Sequence, residues 1–285
     1  MRWTPGGKSR DVIDVRGQRA GGFGMRGAAP IGLGGLALLV ILSLVTGQDF
    51  LSNVDPTGGG VPPSVGEGDV PPAATTPEEE RLVKFVSFVL DDAQDTWTQI
   101  LGNGYDRAKL VVFRDAVSSA CGFAQAATGP FYCPGDRQIY IDLGFYDELQ
   151  QRFRAGGDFA QAYVLSHEIG HHVQNVVGTE PKVRQAMRAD PSSRNDLSVR
   201  MELQADCYAG VWGHSAAQRD KLDPGDVEEG LTAAAAIGDD RIQRMGGGRV
   251  SPESFTHGSS ADRMAWFRRG LESGDPKACD TFSGR

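Results

Sequence analysis

A chain of 285 residues with 40% hydrophobic and 23% charged side chains can build one large domain or two small ones around a substantial core. Its formal net charge of -8 argues against a nucleic-acid binder, whose footprint would be a basic domain. The charge is unevenly spread: residues 1–27 carry Arg2, Lys8, Arg10, Arg16, Arg19 and Arg26 against Asp11 and Asp14, a net +4, which leaves -12 for the rest.

No charged residue lies between Arg26 and Asp49, and Ala28 to Val45 is almost continuously apolar. That is long enough to cross about 30 Å of hydrocarbon as a helix. A cleaved signal peptide would have an apolar region of about 7 to 15 residues ending in an Ala-x-Ala-like site, which Leu44-Val45-Thr46-Gly47-Gln48 matches poorly. The expectation is a basic cytoplasmic tail over 1–27, one uncleaved transmembrane anchor over 28–46, and the remainder of the chain outside the cytoplasm. Residues 47–77, with six glycines and six prolines, read as a linker without the large apolar groups of a core.

Folded material begins where Pro77 and Glu78-Glu79-Glu80 suit a helix N-terminus, and apolar residues from Leu82 to Leu90 recur at helical spacing as far as about Leu101. Gly102-Asn103-Gly104 ends that helix, and Lys109 to Phe113 has the β-branched content of a buried strand. A second strand is expected over Gln138 to Leu143, with Ile139, Ile141 and Leu143 on one face and Gln138, Tyr140 and Asp142 on the other. A short helix over Asp147 to Arg154 precedes a longer one from about Asp158, a plausible N-cap, to Val177. Later helices are expected over 198–214, 224–237 and 259–271. The mixture is α+β, and one domain over 78–285 suffices.

Four cysteines in an exported chain read as two disulfides, with three pairings open. Cys121 with Cys133 would close a short loop, worth about 3 kcal/mol in the chain-entropy model. Cys207 with Cys279 would tie down the C-terminus. The alternative is four buried thiols, and no Cys-x-x-Cys pair suggests a thiolate-bound metal.

The chemistry lies in His167-Glu168-Ile169-Gly170-His171. Histidines four apart leave one face of a helix and can grip one ion at about 2.0 to 2.1 Å. Glu168, about 100° around the helix, stands beside that ion as a carboxylate able to take a proton from water and return it to a leaving amine. Five His and twelve Glu among 285 residues give about 0.004 chance occurrences of this pattern. Gly170 leaves room for another element to approach.

A third ligand is expected from Glu202, with Asp206 one turn later accepting the outward N–H of a ligating histidine. Asp206 or Glu180 are the alternatives for the ligand itself. The apolar setting of Leu203, Ala205, Cys207, Tyr208, Val211 and Trp212 speaks against two solvated surface acids. His172 points away from His171 and reads as a hydrogen-bonded structural residue, and His214 as an ordinary one. His257 sits in a loop before a helix capped by Ser259 or Ser260 and could donate a hydrogen bond to an oxyanion, with Tyr163 and Arg263 as weaker candidates.

These residues resemble a known group, the bacterial membrane-anchored "putative neutral zinc metallopeptidase" family, related to the gluzincins in which His-Glu-x-x-His is completed by Glu-x-x-x-Asp. The likeness includes the basic start with Asp14-Val15-Arg16-Gly17, the apolar span, Cys133-Pro134-Gly135-Asp136, Ser166 to Asn175, Glu202 to Trp212, and Phe255 to Phe267. It implies a zincin-like metallopeptidase domain with a small sheet and a mostly helical body, one Zn2+, and a peptide or protein substrate. It also implies that the strand before the motif helix, at Gln138, Tyr140 and Asp142, pairs with an extended peptide as an edge strand. The rival readings are a catalytically silent binding protein of the cell envelope and a hydrolase of cell-wall amides.

Overall fold

The first long helix starts where the sequence supplies a reciprocal cap. Thr76 accepts a hydrogen bond from the Glu79 amide, the Glu79 carboxylate accepts one from the Thr76 amide, and Pro77 opens the first turn. The helix, α1 (Pro77–Leu101), buries Val83, Val86, Val89, Leu90 and Trp97 against the core. The computed structural model describes residues 1–17, 75–125, 129–247 and 249–283. The anchor expected over 28–46 and nearly all of the expected linker lie outside those residues. Among the described residues no helix is long and apolar enough to cross a membrane.

A four-stranded sheet has the order Val12–Asp14, Lys109–Phe113, Gln138–Asp142, Phe131–Cys133. β1 (Val12–Asp14), β2 (Lys109–Phe113) and β6 (Gln138–Asp142) run parallel, and β5 (Phe131–Cys133) pairs antiparallel with β6. A hairpin of β3 (Ala116–Ser119) and β4 (Gly122–Gln125) stands beside it. Alternation sends Leu110, Val112, Ile139 and Ile141 to the main core, and Val111, Phe113 and Tyr140 to a smaller one shared with Val117 and Cys133.

Two expectations are corrected here. Residues 1–17, read as part of a separate basic tail, supply β1 and are built into the sheet of the metal-motif domain. Exposed Lys8 lies 3.7 Å from Asp14, and buried Arg16 pairs with Asp14 and Glu80. Gln138, Tyr140 and Asp142 do not lie on an edge strand: β2 flanks β6 along its whole length and β5 flanks it over Gln138–Tyr140, so only Ile141 and Asp142 extend past β5. The edge nearest the motif helix is β5.

Seven further helices complete the body: α2 (Gly144–Gln151), α3 (Asp158–Val176), α4 (Thr179–Ala189), α5 (Arg194–Gln218), α6 (Asp226–Ala236), α7 (Asp239–Met245) and α8 (Ser260–Ser273). α3 begins on Asp158, the residue expected to cap it. Gly157 occupies the cap position, and Glu229 of α6 accepts the Phe159 amide at 3.1 Å. The Met1 amine lies 2.6 Å from Asp158 Oδ1 in the same first turn. α5 and α8 touch through their backbones, since a Cβ on Gly270 would stand 1.9 Å from the Cys207 carbonyl oxygen. Both disulfides, Cys121–Cys133 and Cys207–Cys279, are formed. The second ties α5 to the turn after α8, and the first fastens β5 to the loop between β3 and β4.

Candidate metal centre

α3 is apolar almost all round, with Phe159, Ala160, Tyr163, Leu165, Ile169 and Val173 buried, so it runs through the centre of the domain. Its neighbour α5 approaches at Gly170, where a Cβ would lie 2.8 Å from the Ala205 carbonyl oxygen. Any side chain there would push the helices apart, and Glu202 and Asp206, on either side of Ala205, are thereby held against His167 and His171.

The ligand atoms converge. His167 Nε2 lies 3.1 Å from Glu202 Oε2, and His171 Nε2 lies 3.4 Å from Glu202 Oε1. A tetrahedral zinc with ligand bonds of 2.0 to 2.1 Å separates its ligand atoms by about 3.3 Å, so the three groups suit such an ion. The outward nitrogens are engaged elsewhere: His167 Nδ1 donates to Asp206 at 2.8 Å, and His171 Nδ1 to the Gln174 side-chain oxygen at 2.9 Å. Both rings therefore present Nε2 lone pairs to one point. Glu180, weighed as a ligand from sequence, instead pairs with Arg184 one turn along α4.

Asp206 is fully buried and heavily hydrogen-bonded. It accepts from His167, from the Tyr163 hydroxyl, and from Arg263 through Nε at 2.8 Å and an Nη at 2.9 Å. Burial works against its charge, but Arg263 and His167 outweigh it and hold the carboxyl below its ordinary range. Tyr163 and Arg263, the weaker oxyanion candidates, are thus committed to Asp206. Burial also opposes a charged His167, yet the charge and hydrogen bond of Asp206 prevail and push the imidazole up to about 10. A field that stabilises an imidazolium so strongly also favours a divalent cation at the same place.

A cleft of about 640 Å³ opens over these ligands. Glu168 and His257 line it together with His167, His171 and Glu202. His257 Nδ1 donates to Asp239 at 3.1 Å, leaving its other nitrogen free of that contact, and the loop that carries it caps α8 through Ser259. Burial lowers the His257 imidazole, and the Asp239 hydrogen bond and the Glu202 charge raise it by more. Facing the metal ligands are Gly129, Pro130, Phe131 and Tyr132 of the β5 region. Apolar side chains of α2, α3, α7 and nearby loops close the far wall, among them Phe145, Phe153, Val164, Ile237 and Ile242.

His172 stands off this face, as its spacing from His171 predicts. Its Nε2 donates to the Asp106 carbonyl at 2.5 Å, and its Nδ1 accepts from the Tyr132 hydroxyl at 3.1 Å. Burial holds it below the ordinary histidine range. It fastens the edge strand to the motif helix. Gln174, Asp239 and β5 were not foreseen; only Gln174, three residues after His171 on the same helix, carried a spacing signal. Among the described residues one other acidic group could bind a cation, Asp158 with Asp226 and Glu229, but the Met1 amine lies between the two aspartates and Glu229 caps α3.

A family model described as "Putative neutral zinc metallopeptidase" matches residues 1–282. The chain is 48% identical over 291 residues to an Escherichia coli K12 protein, "Uncharacterized protein YpfJ", covering 99% of each. It is 40% identical over 226 residues to "Uncharacterized protein Mb2605" of Mycobacterium bovis, covering 75% of this chain and 76% of that one. No solved structure matches. The match over nearly the whole length, with the motif residues gathered into one centre, establishes that this chain belongs to the "putative neutral zinc metallopeptidase" family.

Proposed function

We propose that the chain is a zinc-dependent endopeptidase that hydrolyses extended peptides, with His167, His171 and Glu202 as ligands and Glu168 as general base. The observation that carries this reading is the pair of 3.1 and 3.4 Å approaches between the Glu202 carboxylate and the two histidine Nε2 atoms, at the floor of a cleft that Glu168 also lines. Zinc bound there supplies Lewis acidity, acidifying a water and polarising a carbonyl. Glu168 takes the proton of the attacking water and returns it to the departing amine nitrogen as the C–N bond breaks. His257, oriented by Asp239, donates a hydrogen bond to the oxygen that gains charge. The outer edge of β5 pairs with the peptide backbone and aligns its carbonyl over the ligands, a role expected of β6 from sequence and reassigned because β6 is an inner strand of the sheet.

The test is digestion of unfolded protein and a broad peptide mixture by the zinc-loaded full chain, beside Glu168→Gln. The expected outcome is endoproteolytic cleavage that falls by about 10²- to 10⁴-fold in the variant with its zinc content unchanged. Zinc bound by both proteins and cleavage by neither would leave a binding protein in place of an enzyme. Cleavage confined to peptidoglycan amides would reassign the substrate.

A further inference from the structure

Residues 1–17 are joined to the metal-bearing domain by strand pairing, aromatic packing and ion pairs. Val12–Asp14 pair in parallel with Leu110–Val112. The ladder continues through the Leu110 amide donating to the Asp11 carbonyl at 2.8 Å and the Val15 amide to the Val112 carbonyl at 2.9 Å. Trp3 packs edge-on against Phe85 of α1, with ring centroids 5.3 Å apart. Asp11, 3% exposed, binds Arg107 at 2.7 Å and Lys109 at 2.6 Å. Arg16, 5% exposed, reaches Glu80 at 2.7 Å, and Arg2 reaches Asp223 at 2.7 Å.

Arg2 and Arg16 are two of the cations that, as bare sequence, hold the N-terminus on the cytoplasmic face of a membrane. In the fold they are ion-pair partners of acids in the domain that follows the apolar stretch. A single crossing between Arg26 and Asp49 would place about 30 Å of hydrocarbon between these partners. None of the contacts would survive it. The β2 edge would lie open, Phe85 would lose its cover, and Asp11 would be parted from both of its cations.

We propose that residues 1–17 and the metal-bearing domain occupy the same compartment, the edge of β2 being the docking surface for the chain's own first strand. The two disulfides assign an oxidising compartment to both.

Thr4 and Gln185 are exposed, one on each of the two parts. Thr4→Cys and Gln185→Cys, made singly in the full chain and expressed in bacterial cells, are labelled with a membrane-impermeant maleimide before and after lysis. The expected result is the same ratio of labelling at both positions. Labelling of one in intact cells and of the other only after lysis would overturn the proposal. Hydrogen exchange of the Leu110 amide in the purified full chain tests docking separately, because this amide is bonded to β1: exchange should be at least about 100-fold slower than in the unfolded chain. Exchange at the unfolded rate would show an undocked strand and would equally overturn it.

Discussion

On the helical wall of the cleft, the side chains that orient the ligands are themselves held by others; on the strand wall, the sheet simply stops. His167 rests on Asp206, which rests on Arg263 and Tyr163, and His171 rests on Gln174, which donates in turn to the Met201 carbonyl at 2.7 Å. β5 is three residues long, is fastened by one disulfide and the His172–Tyr132 hydrogen bond, and among the described residues pairs with a strand on one side only. On the proposed function, the difference is a division of labour. Bond-making chemistry needs ligands fixed in place, which a chain of buried hydrogen bonds provides. Holding many different peptides needs backbone groups that do not care which side chain passes, which an open edge provides.

That contrast can be broken from either wall. On the helical side, Asp206→Ala removes the acceptor that sets His167 and should weaken zinc binding by about 10- to 100-fold, read by competition with a chelating dye. Unchanged affinity would mean that the buried hydrogen-bond chain does not hold the ligands. On the strand side, peptides N-methylated at the residues that would pair with β5 should lose about 10-fold in kcat/KM for each backbone hydrogen bond to the edge, without change in zinc content. Equal turnover of methylated and unmethylated peptides would remove β5 from substrate alignment. Gly170→Ala tests the helix contact beneath both walls: the added methyl meets Ala205 backbone and should cost about 1 to 3 kcal/mol in denaturant unfolding. A neutral result would show that α3 and α5 can separate without penalty.

The helical wall was largely legible in the sequence because its information is local. His167, Glu168 and His171 lie within one turn and a half, Glu202 and Asp206 within another, and helical periodicity alone puts each set on one face. The helix start at Pro77 and the cap at Ser259 are equally local signals. The strand wall was not legible. Phe131-Tyr132-Cys133 between Pro130 and Pro134 has no alternation long enough to mark a strand, and which strand ends a sheet depends on pairings distant in the chain. β6 was recognised as a strand yet misplaced in the sheet for that reason. β1 was missed more completely: Val12-Ile13-Asp14 is short, and its partner lies about a hundred residues away, so its flanking charges were read as a membrane signal instead of as ion-pair partners. α4, strongly polar with only Val183 buried, and α7, only seven residues long, hold too few apolar residues to stand out.

The claim on which the account rests is a single zinc held by two histidines and one carboxylate. X-ray absorption at the zinc edge on the zinc-loaded full chain, with zinc content measured in parallel for Glu202→Ala, tests it most directly. The account predicts nitrogen and oxygen neighbours at about 2.0 to 2.2 Å with histidine scattering, no sulfur at about 2.3 Å, and loss of zinc from Glu202→Ala. A sulfur shell, or equal zinc in Glu202→Ala and the native chain, would contradict it.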